Sequence, residues 1–245
     1  MAYDIVYILK EDINSEELRY SLRSVCKNFK YNKIWFYCGC PDDIKPDVHI
    51  PFEQTGKNKL ELVRSTYEAI ANNDEITEDF WLFNDDFFIL KPYNQDIPKV
   101  NGTLEQLAYD IKQRLGKDSY YTQAIKTTAS ILRSKGYDTL SYACHVPMLL
   151  NRYKVKEVLE EFPVNATFRS SYGNYVKMGG ELIDDVKIVH FDQIPDEDWT
   201  LLSTREDSFA NGQVGTYIKL KFVEPCKYEL SFEEWIEKIK NLKKD

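Results

Sequence analysis

The chain has 245 residues, with 32 Lys and Arg against 40 Asp and Glu, and a net charge of −8. Hydrophobic residues make up 43% and aromatic ones 14%, which forces burial of a large core and excludes disordered, collagen-like and linker-rich chains. The acidic balance disfavours a protein that coats nucleic acid non-specifically, because that affinity comes from Lys and Arg on phosphates.

No run approaches the ~20 apolar residues that span a bilayer. The opening Met-Ala-Tyr-Asp-Ile-Val lacks a basic n-region and a cleavage site, so no secretory signal is expected. The five cysteines are Cys26, Cys38, Cys40, Cys144 and Cys226. Only Cys38-Gly-Cys40 is closely spaced, and it lacks the second pair that a four-ligand zinc site needs. Reduced, mostly buried thiols and a cytoplasmic location are the expectation.

In chain order, Asp4 to Leu9 is a short apolar run bounded by charge and reads as a buried strand. Asn14 or Ser15 can cap a helix that carries Glu16 and Glu17 in its first turn and Leu18, Leu22, Val25 and Phe29 at helical spacing. Lys33 to Cys38 reads as a second strand, giving strand-helix-strand, the unit that builds parallel sheets. A helix with Leu60, Val63, Tyr67 and Ile70 on one face follows Gln54 to Lys59. Further helices are predicted at about 103–115, 120–135, 153–161 and 231–243, and late strands at Val186 to Phe191 and Gly215 to Phe222. The pattern predicts an α/β fold with a mixed, mostly parallel sheet. One domain is expected over 1–230, with a helical insertion at about 103–162 and a C-terminal helix at 231–245.

The most unusual segment is Asp79 to Leu90, where Asn84-Asp85-Asp86 interrupts two apolar runs, Phe80 to Phe83 and Phe87 to Leu90. Carboxylates in such surroundings are costly unless they meet a cation, a metal or several donors. Hard oxygen ligands suit Mg²⁺ or Mn²⁺, which share carboxylates with substrate phosphates. The competing reading is a hairpin with Asn-Asp-Asp as its loop, since these residues favour turns. His190 ends a predicted strand, where ligands sit in α/β sheets, and can join Asp85 and Asp86 as a metal ligand. Its other reading is a core histidine.

Three blocks resemble, in order, conserved regions of the Stealth family of sugar-phosphate transferases. They are Asp4 to Tyr7 with Glu17 to Val25 and Lys33 to Phe36; Phe80 to Phe88; and His145 to Leu150 with Phe162-Pro163 and Thr167 to Arg169. The first region here continues Ile8-Leu-Lys-Glu, where the family has Trp-Val-Asp-Gly. The resemblance implies a fold similar to the GT-A nucleotide-sugar glycosyltransferases. It also implies a divalent ion and diphosphate at Asp85 and Asp86, with His145 and Arg169 as active-site residues, and raises Arg23 as a structural or phosphate contact; Tyr7, Arg23 and Asn84 are the further residues expected around the donor.

The chemistry is consistent with this. A divalent ion neutralises the leaving phosphate, an Arg such as Arg169 forks onto phosphate oxygens, and a His such as His145 takes the proton of an attacking hydroxyl. Lys57 and Lys59 lie just before a helix start, which favours anions. Asp207 offers an acceptor contact, and Tyr172 and Tyr175 can stack on a base or sugar. The leading expectation is therefore a metal-dependent transferase that moves a sugar or sugar 1-phosphate from a nucleotide sugar, a UDP-sugar first, to a hydroxyl of a glycan. Two alternatives stand beside it. One is a transferase that decorates DNA bases, using Lys126, Arg133, Lys135, Lys219 and Lys221 as a basic strip; the other is a non-catalytic carbohydrate-binding protein.

Overall fold

The structure, a computed structural model, describes residues 2–11, 13, 16–93, 97–231, 233, 234, 236, 237 and 240. The expected caps Asn14 and Ser15 lie outside these residues, as does part of the helix predicted at 231–243. The chain gathers into two compact units, one formed by 1–53, 81–94 and 186–245 and the other by 54–80 and 95–185. Because the chain passes between them repeatedly, no single linker marks the division in the sequence. Among the described residues no helix is long and apolar enough to cross a membrane.

In the first unit, strand β1 (Asp4–Leu9) leads through helix α1 (Glu16–Asn28) to β2 (Ile34–Cys38) and then β3 (Val48–Ile50). β1 runs parallel to β2, with Tyr7 opposite Phe36, and β2 runs parallel to β3. With β4 (Asp79–Phe83) on the other side of β1, the strand order is β3-β2-β1-β4. All five residues of β2 are buried, which is why the run is apolar throughout rather than alternating. A second sheet has the order β5-β10-β9, from β5 (Phe87–Ile89), β9 (Lys187–Ile188) and β10 (Leu201–Thr204). β10 is antiparallel to β5 and parallel to β9. The fold is thus mixed α/β with a mostly parallel sheet flanked by helices, as the sequence predicts.

Three expectations change. The Asn84-Asp85-Asp86 turn is no hairpin loop, because β4 and β5 belong to different sheets and the turn passes the chain from one to the other. The predicted strand Val186 to Phe191 shrinks to β9, leaving His190 exposed beyond its end. The predicted strand Gly215 to Phe222 is helical: α7 (Glu206–Asn211) is followed at once by α8 (Gln213–Lys221). Thr-Tyr-Ile-Lys-Leu-Lys-Phe alternates like a strand. However, the residues it buries are Val214, Ile218 and Phe222, at helical spacing, while Leu220 is 73% exposed. Gly215 allows the tight α7–α8 junction, since a Cβ there would fall 1.7 Å from the Phe209 carbonyl oxygen.

α1 supplies the hydrogen bonds that β5 cannot obtain from the sheet. Leu90 N donates to Thr200 O at 2.8 Å, so by antiparallel alternation Phe87 and Ile89 turn their backbone groups away from β10. Those groups meet side chains of α1. Ser21 Oγ donates to Phe87 O at 2.6 Å, Ile89 N donates to Ser24 Oγ at 3.0 Å, and Asn28 Nδ2 donates to Ile89 O at 2.7 Å. Tyr7 lies behind this clasp, its hydroxyl 3.0 Å from Ser21 Oγ.

The second unit holds α2 (Lys59–Asn72), β6 (Lys99–Val100), α3 (Leu104–Leu115), α4 (Tyr120–Ser134), β7 (Met148–Asn151), α5 (Arg152–Glu161), α6 (Phe168–Tyr175) and β8 (Glu181–Leu182). α3, α4 and α5 are the helices predicted near 103, 120 and 153. Thr103, Ser119 and Asn151 cap them by accepting from backbone N–H groups of the first turn. β6 and β8 pair in parallel. The α1–β5 clasp is testable through Ser24→Ala, which leaves the buried Ile89 N–H without its acceptor. A loss of about 1–3 kcal/mol is expected, read as a lower urea midpoint with an unchanged slope.

Candidate functional site: an acidic turn and a His-Asp pair

The acidic turn leaves the end of β4, closed by Phe87 N donating to Asn84 O at 3.3 Å. Sheet register fixes Asp86. Ser203 on β10 lies opposite Phe87 on one side and Lys187 on the other. Its Oγ and the Lys187 Nζ each reach Asp86 Oδ2 at 2.9 Å. Asp86 Oδ1 is buried and has no hydrogen-bond partner among the described residues. An oxygen buried in this way loses its water partners without gaining a donor of its own, which costs free energy.

Two more acids share the region. Burial pushes the Asp85 carboxyl above the usual range, and repulsion from Asp86 adds to this, against the opposing charges of Lys10 and Lys187. Glu17, on the first turn of α1 and 8% exposed, accepts from Thr204 Oγ1 at 2.6 Å. Burial, with repulsion from Asp86 and Asp85, pushes it up to about 7 in spite of that hydrogen bond. Glu17, Lys187 and Ser203 were not predicted as site residues. Glu17 reads as an ordinary helix-dipole acid, and no local spacing ties 187 or 203 to 86.

Among the described residues no three His, Cys, Asp or Glu side chains are gathered to hold a metal, so His190 does not complete a ligand set with Asp85 and Asp86. The remaining pair, with one unpartnered oxygen, has the chemistry of a hard-cation site that draws its other ligands from phosphate and water.

In the second unit, His145 Nδ1 lies 2.7 and 3.0 Å from the two carboxylate oxygens of Asp185, and the His145 N–H also donates to Asp185 Oδ1 at 3.3 Å. This fixes the ring and, with Nδ1 protonated, leaves Nε2 as the proton acceptor. Asp185 was not anticipated, being 40 residues away in sequence. Arg169 is not free to fork onto a ligand. Its Nε donates to Tyr142 O at 3.1 Å and its Nη2 to Val146 O at 2.7 Å, bracing the loop that carries His145. Burial draws its pKa below the usual arginine value.

Other predicted site residues have structural places. Tyr7 is fully buried against Phe36 and Phe83, and burial raises its hydroxyl pKa. Arg23 holds Glu229 through Nε at 2.7 Å and Nη2 at 2.6 Å, and gives Nη1 to the Phe222 and Val223 carbonyls. Asn84 is exposed at the turn. Lys57 and Lys59 are exposed, but the helix start between them is already capped: Asn58 Oδ1 accepts from Leu60 N and Glu61 N, and Glu61 Oε2 accepts from Lys57 N. Asp207 is ion-paired with Arg205 on the surface. The Tyr172 hydroxyl accepts from Asn151 N and the Tyr175 hydroxyl donates to Glu157, so both phenols serve the second unit itself. The supposed basic strip is largely neutralised, with Lys126 on Asp118, Arg133 on Glu105, Lys135 on Glu161 and Lys219 on Glu16.

No family model matches the chain, and no curated protein matches it. Among solved structures, the apo-form glycosyltransferase GlyE of Streptococcus pneumoniae TIGR4 aligns over 100% of this chain at 10% identity and a TM-score of 0.46; the chain spans 64% of GlyE. The galactosyltransferase LgtC in complex with donor and acceptor sugar analogues aligns over 96% of this chain and 99% of its own at 11% identity and a TM-score of 0.47. At these values the functional reading rests on the residues of this chain.

Glu17 gives a pH test. Its folded pKa lies above the usual carboxylate value, so the folded state holds the proton more tightly and stability falls as pH rises from about 4.5 through about 7. Glu17→Gln removes that fall. Relative to the wild-type protein it gains of order 3 kcal/mol between pH 4.5 and 8, seen as a flatter profile of urea midpoint against pH.

Proposed function

We propose that the chain is a metal-dependent transferase that takes a nucleotide-activated sugar, a UDP-sugar first, and moves the sugar or its 1-phosphate onto a hydroxyl of a glycan. The observation that carries this reading is the buried Asp86 Oδ1, left without a hydrogen-bond partner among the described residues while Lys187 and Ser203 hold the other oxygen of the same carboxylate. Asp85 and Asp86 would hold Mn²⁺ or Mg²⁺. When bound, the ion supplies charge neutralisation for the leaving phosphate and a template for its oxygens.

Lys187 and Ser203 fix the Asp86 side chain, leaving Oδ1 as the oxygen to be shared. Glu17, pushed up to about 7 by burial and the neighbouring acids, is placed to take up or release a proton beside the turn. In the second unit, Asp185 orients His145 so that Nε2 can accept a proton, the property a general base needs. Arg169 keeps the base in place rather than binding phosphate.

Thermal denaturation tests the donor half. A UDP-sugar with Mn²⁺ at about a hundred times its dissociation constant stabilises the fold by about 2.7 kcal/mol, a rise of several degrees. Asp86→Ala is expected to abolish the rise. Neither ligand alone is expected to reproduce it, and a screen of nucleotide sugars without any shift overturns the reading.

Turnover tests the other half. His145→Ala is expected to lower kcat by about 10²–10⁴, and Asp185→Asn by less, while both leave the Mn²⁺-dependent thermal shift intact. Equal turnover in His145→Ala removes His145 from the mechanism.

A further inference from the structure

A second feature of the first unit lies apart from the acidic turn. Cys26, near the end of α1, and Cys226, just beyond α8, line the same cleft and are close enough for each to set the other's proton affinity. They are 200 positions apart in sequence and neither is buried outright. Both line a cleft of 630 Å³ whose walls also carry Tyr31, Lys27, Lys221 and Lys227.

The Tyr31 hydroxyl is 3.4 Å from Cys26 Sγ. The three lysines rest on aromatic rings: Lys227 over Tyr228 at 4.7 Å and Tyr31 at 5.5 Å, Lys27 over Phe222 at 5.7 Å, and Lys221 over Tyr217 at 5.5 Å. None of the three takes part in the ion pairs found among the described residues, so the cleft presents positive charge around a thiol pair. The remaining cation of the wall, Arg23, is spent on Glu229, and the exposed Glu224 offsets one lysine charge.

We infer that Cys26 and Cys226 are a thiol-disulfide exchange site for net-anionic low-molecular-weight disulfides of the glutathione class. The Cys26 thiolate attacks one sulfur of glutathione disulfide. The sulfur-sulfur bond breaks, one glutathione leaves as thiolate, and a Cys26 mixed disulfide remains. Cys226 then attacks the Cys26 sulfur, the second glutathione leaves, and a Cys26–Cys226 disulfide remains. Two protein thiols are oxidised, one glutathione disulfide is reduced to two glutathiones, and the two thiol protons pass through solvent to the departing thiolates.

The electrostatics divide the roles. The Cys26 thiol is drawn down to about 7, first by the neighbouring Cys226 thiol and, against burial, by Tyr31 and the Lys227 charge. Cys226 is pushed up, first by its neighbour Cys26 as acceptor, then by burial and by repulsion from Cys26. Two of those three restraints vanish once Cys26 is capped, which releases Cys226 to act second.

The test is peptide-mapped mass spectrometry of the full chain after exposure to glutathione disulfide, which needs no variant. Cys26 is expected to be modified ahead of Cys38, Cys40 and Cys144, and the final product is expected to be the 26–226 disulfide. The initial rate at Cys26 is expected to rise about tenfold between pH 6 and 8, against about eightyfold for an ordinary thiol. Cys226→Ser is expected to stop at the mixed disulfide, and Cys26→Ser to leave Cys226 unmodified. The neutral 2-hydroxyethyl disulfide is expected to react at least severalfold more slowly at low salt, with the gap closing as salt rises. Modification elsewhere first, absence of the 26–226 product, or equal rates for the neutral disulfide at low salt overturns the inference.

Discussion

The first unit depends on a substitution of side chains for a strand. β5 has β10 on one side only, and its other side would present bare N–H and C=O groups, a costly arrangement in a buried place. Ser21, Ser24 and Asn28 lie at i, i+3 and i+7, one face of α1, and meet those groups in order along β5. The helix thereby acts as the missing neighbour. This has a geometric consequence for the site: β5 begins at Phe87, directly after Asp86, so whatever fixes β5 also fixes where the acidic turn lies. Two of the clasp residues, Ser21 and Ser24, belong to the block that carries the family resemblance, and their work is structural.

The turn itself is held against its own electrostatics. Asp85 and Glu17 lie where burial penalises their charge and Asp86 repels it, and their proton affinities rise accordingly. Lys187 and Ser203 answer one oxygen of one carboxylate. A fold selected for stability alone would replace such a set with apolar residues at little or no cost. The Asp86 carboxylate is instead braced from two strands, with one oxygen buried and given no donor among the described residues, and this is the feature on which the proposed cation site rests.

Parts of this were legible in the sequence because they obey local periods. β1 and β2 are continuous apolar runs, α3 to α5 carry their caps, and Asn84-Asp85-Asp86 advertises itself by placing charge between two aromatic segments. The misreadings share a cause, which is that the deciding partner is remote. Gly215 to Phe222 alternates like a strand until Val214 is added to the pattern and Gly215 is seen to meet the Phe209 carbonyl. Glu17 has the sequence of a dipole acid, and only Thr204, 187 positions away, marks it as buried. Tyr7 and Arg23 sit inside the blocks that carry the family resemblance, yet Ser21 and Glu229 show that packing and clamping occupy them. The aromatic excess resolves in the same way. Phe29, Trp81, Phe83 and Tyr93 form edge and stacked pairs among themselves, so much of it is core, and the dry surroundings it creates strengthen every charge interaction at the turn.

Arg169 shows how a correct residue can carry a different task. A guanidinium beside a candidate active site suggests phosphate, because its fork matches oxyanion geometry. Here two arms of the fork are used on the carbonyls of Tyr142 and Val146, which bracket His145 in the chain. Carbonyls of an irregular loop have no ladder to satisfy them, and a single charged donor that spans four residues fixes the loop more firmly than two neutral bonds would. The imidazole then needs only one further restraint to have a defined orientation, and Asp185 provides it through Nδ1 and the backbone N–H together. A lysine could supply the charge at this position but not two fixed donors, so the arginine is required by the geometry of the loop even without a phosphate to bind.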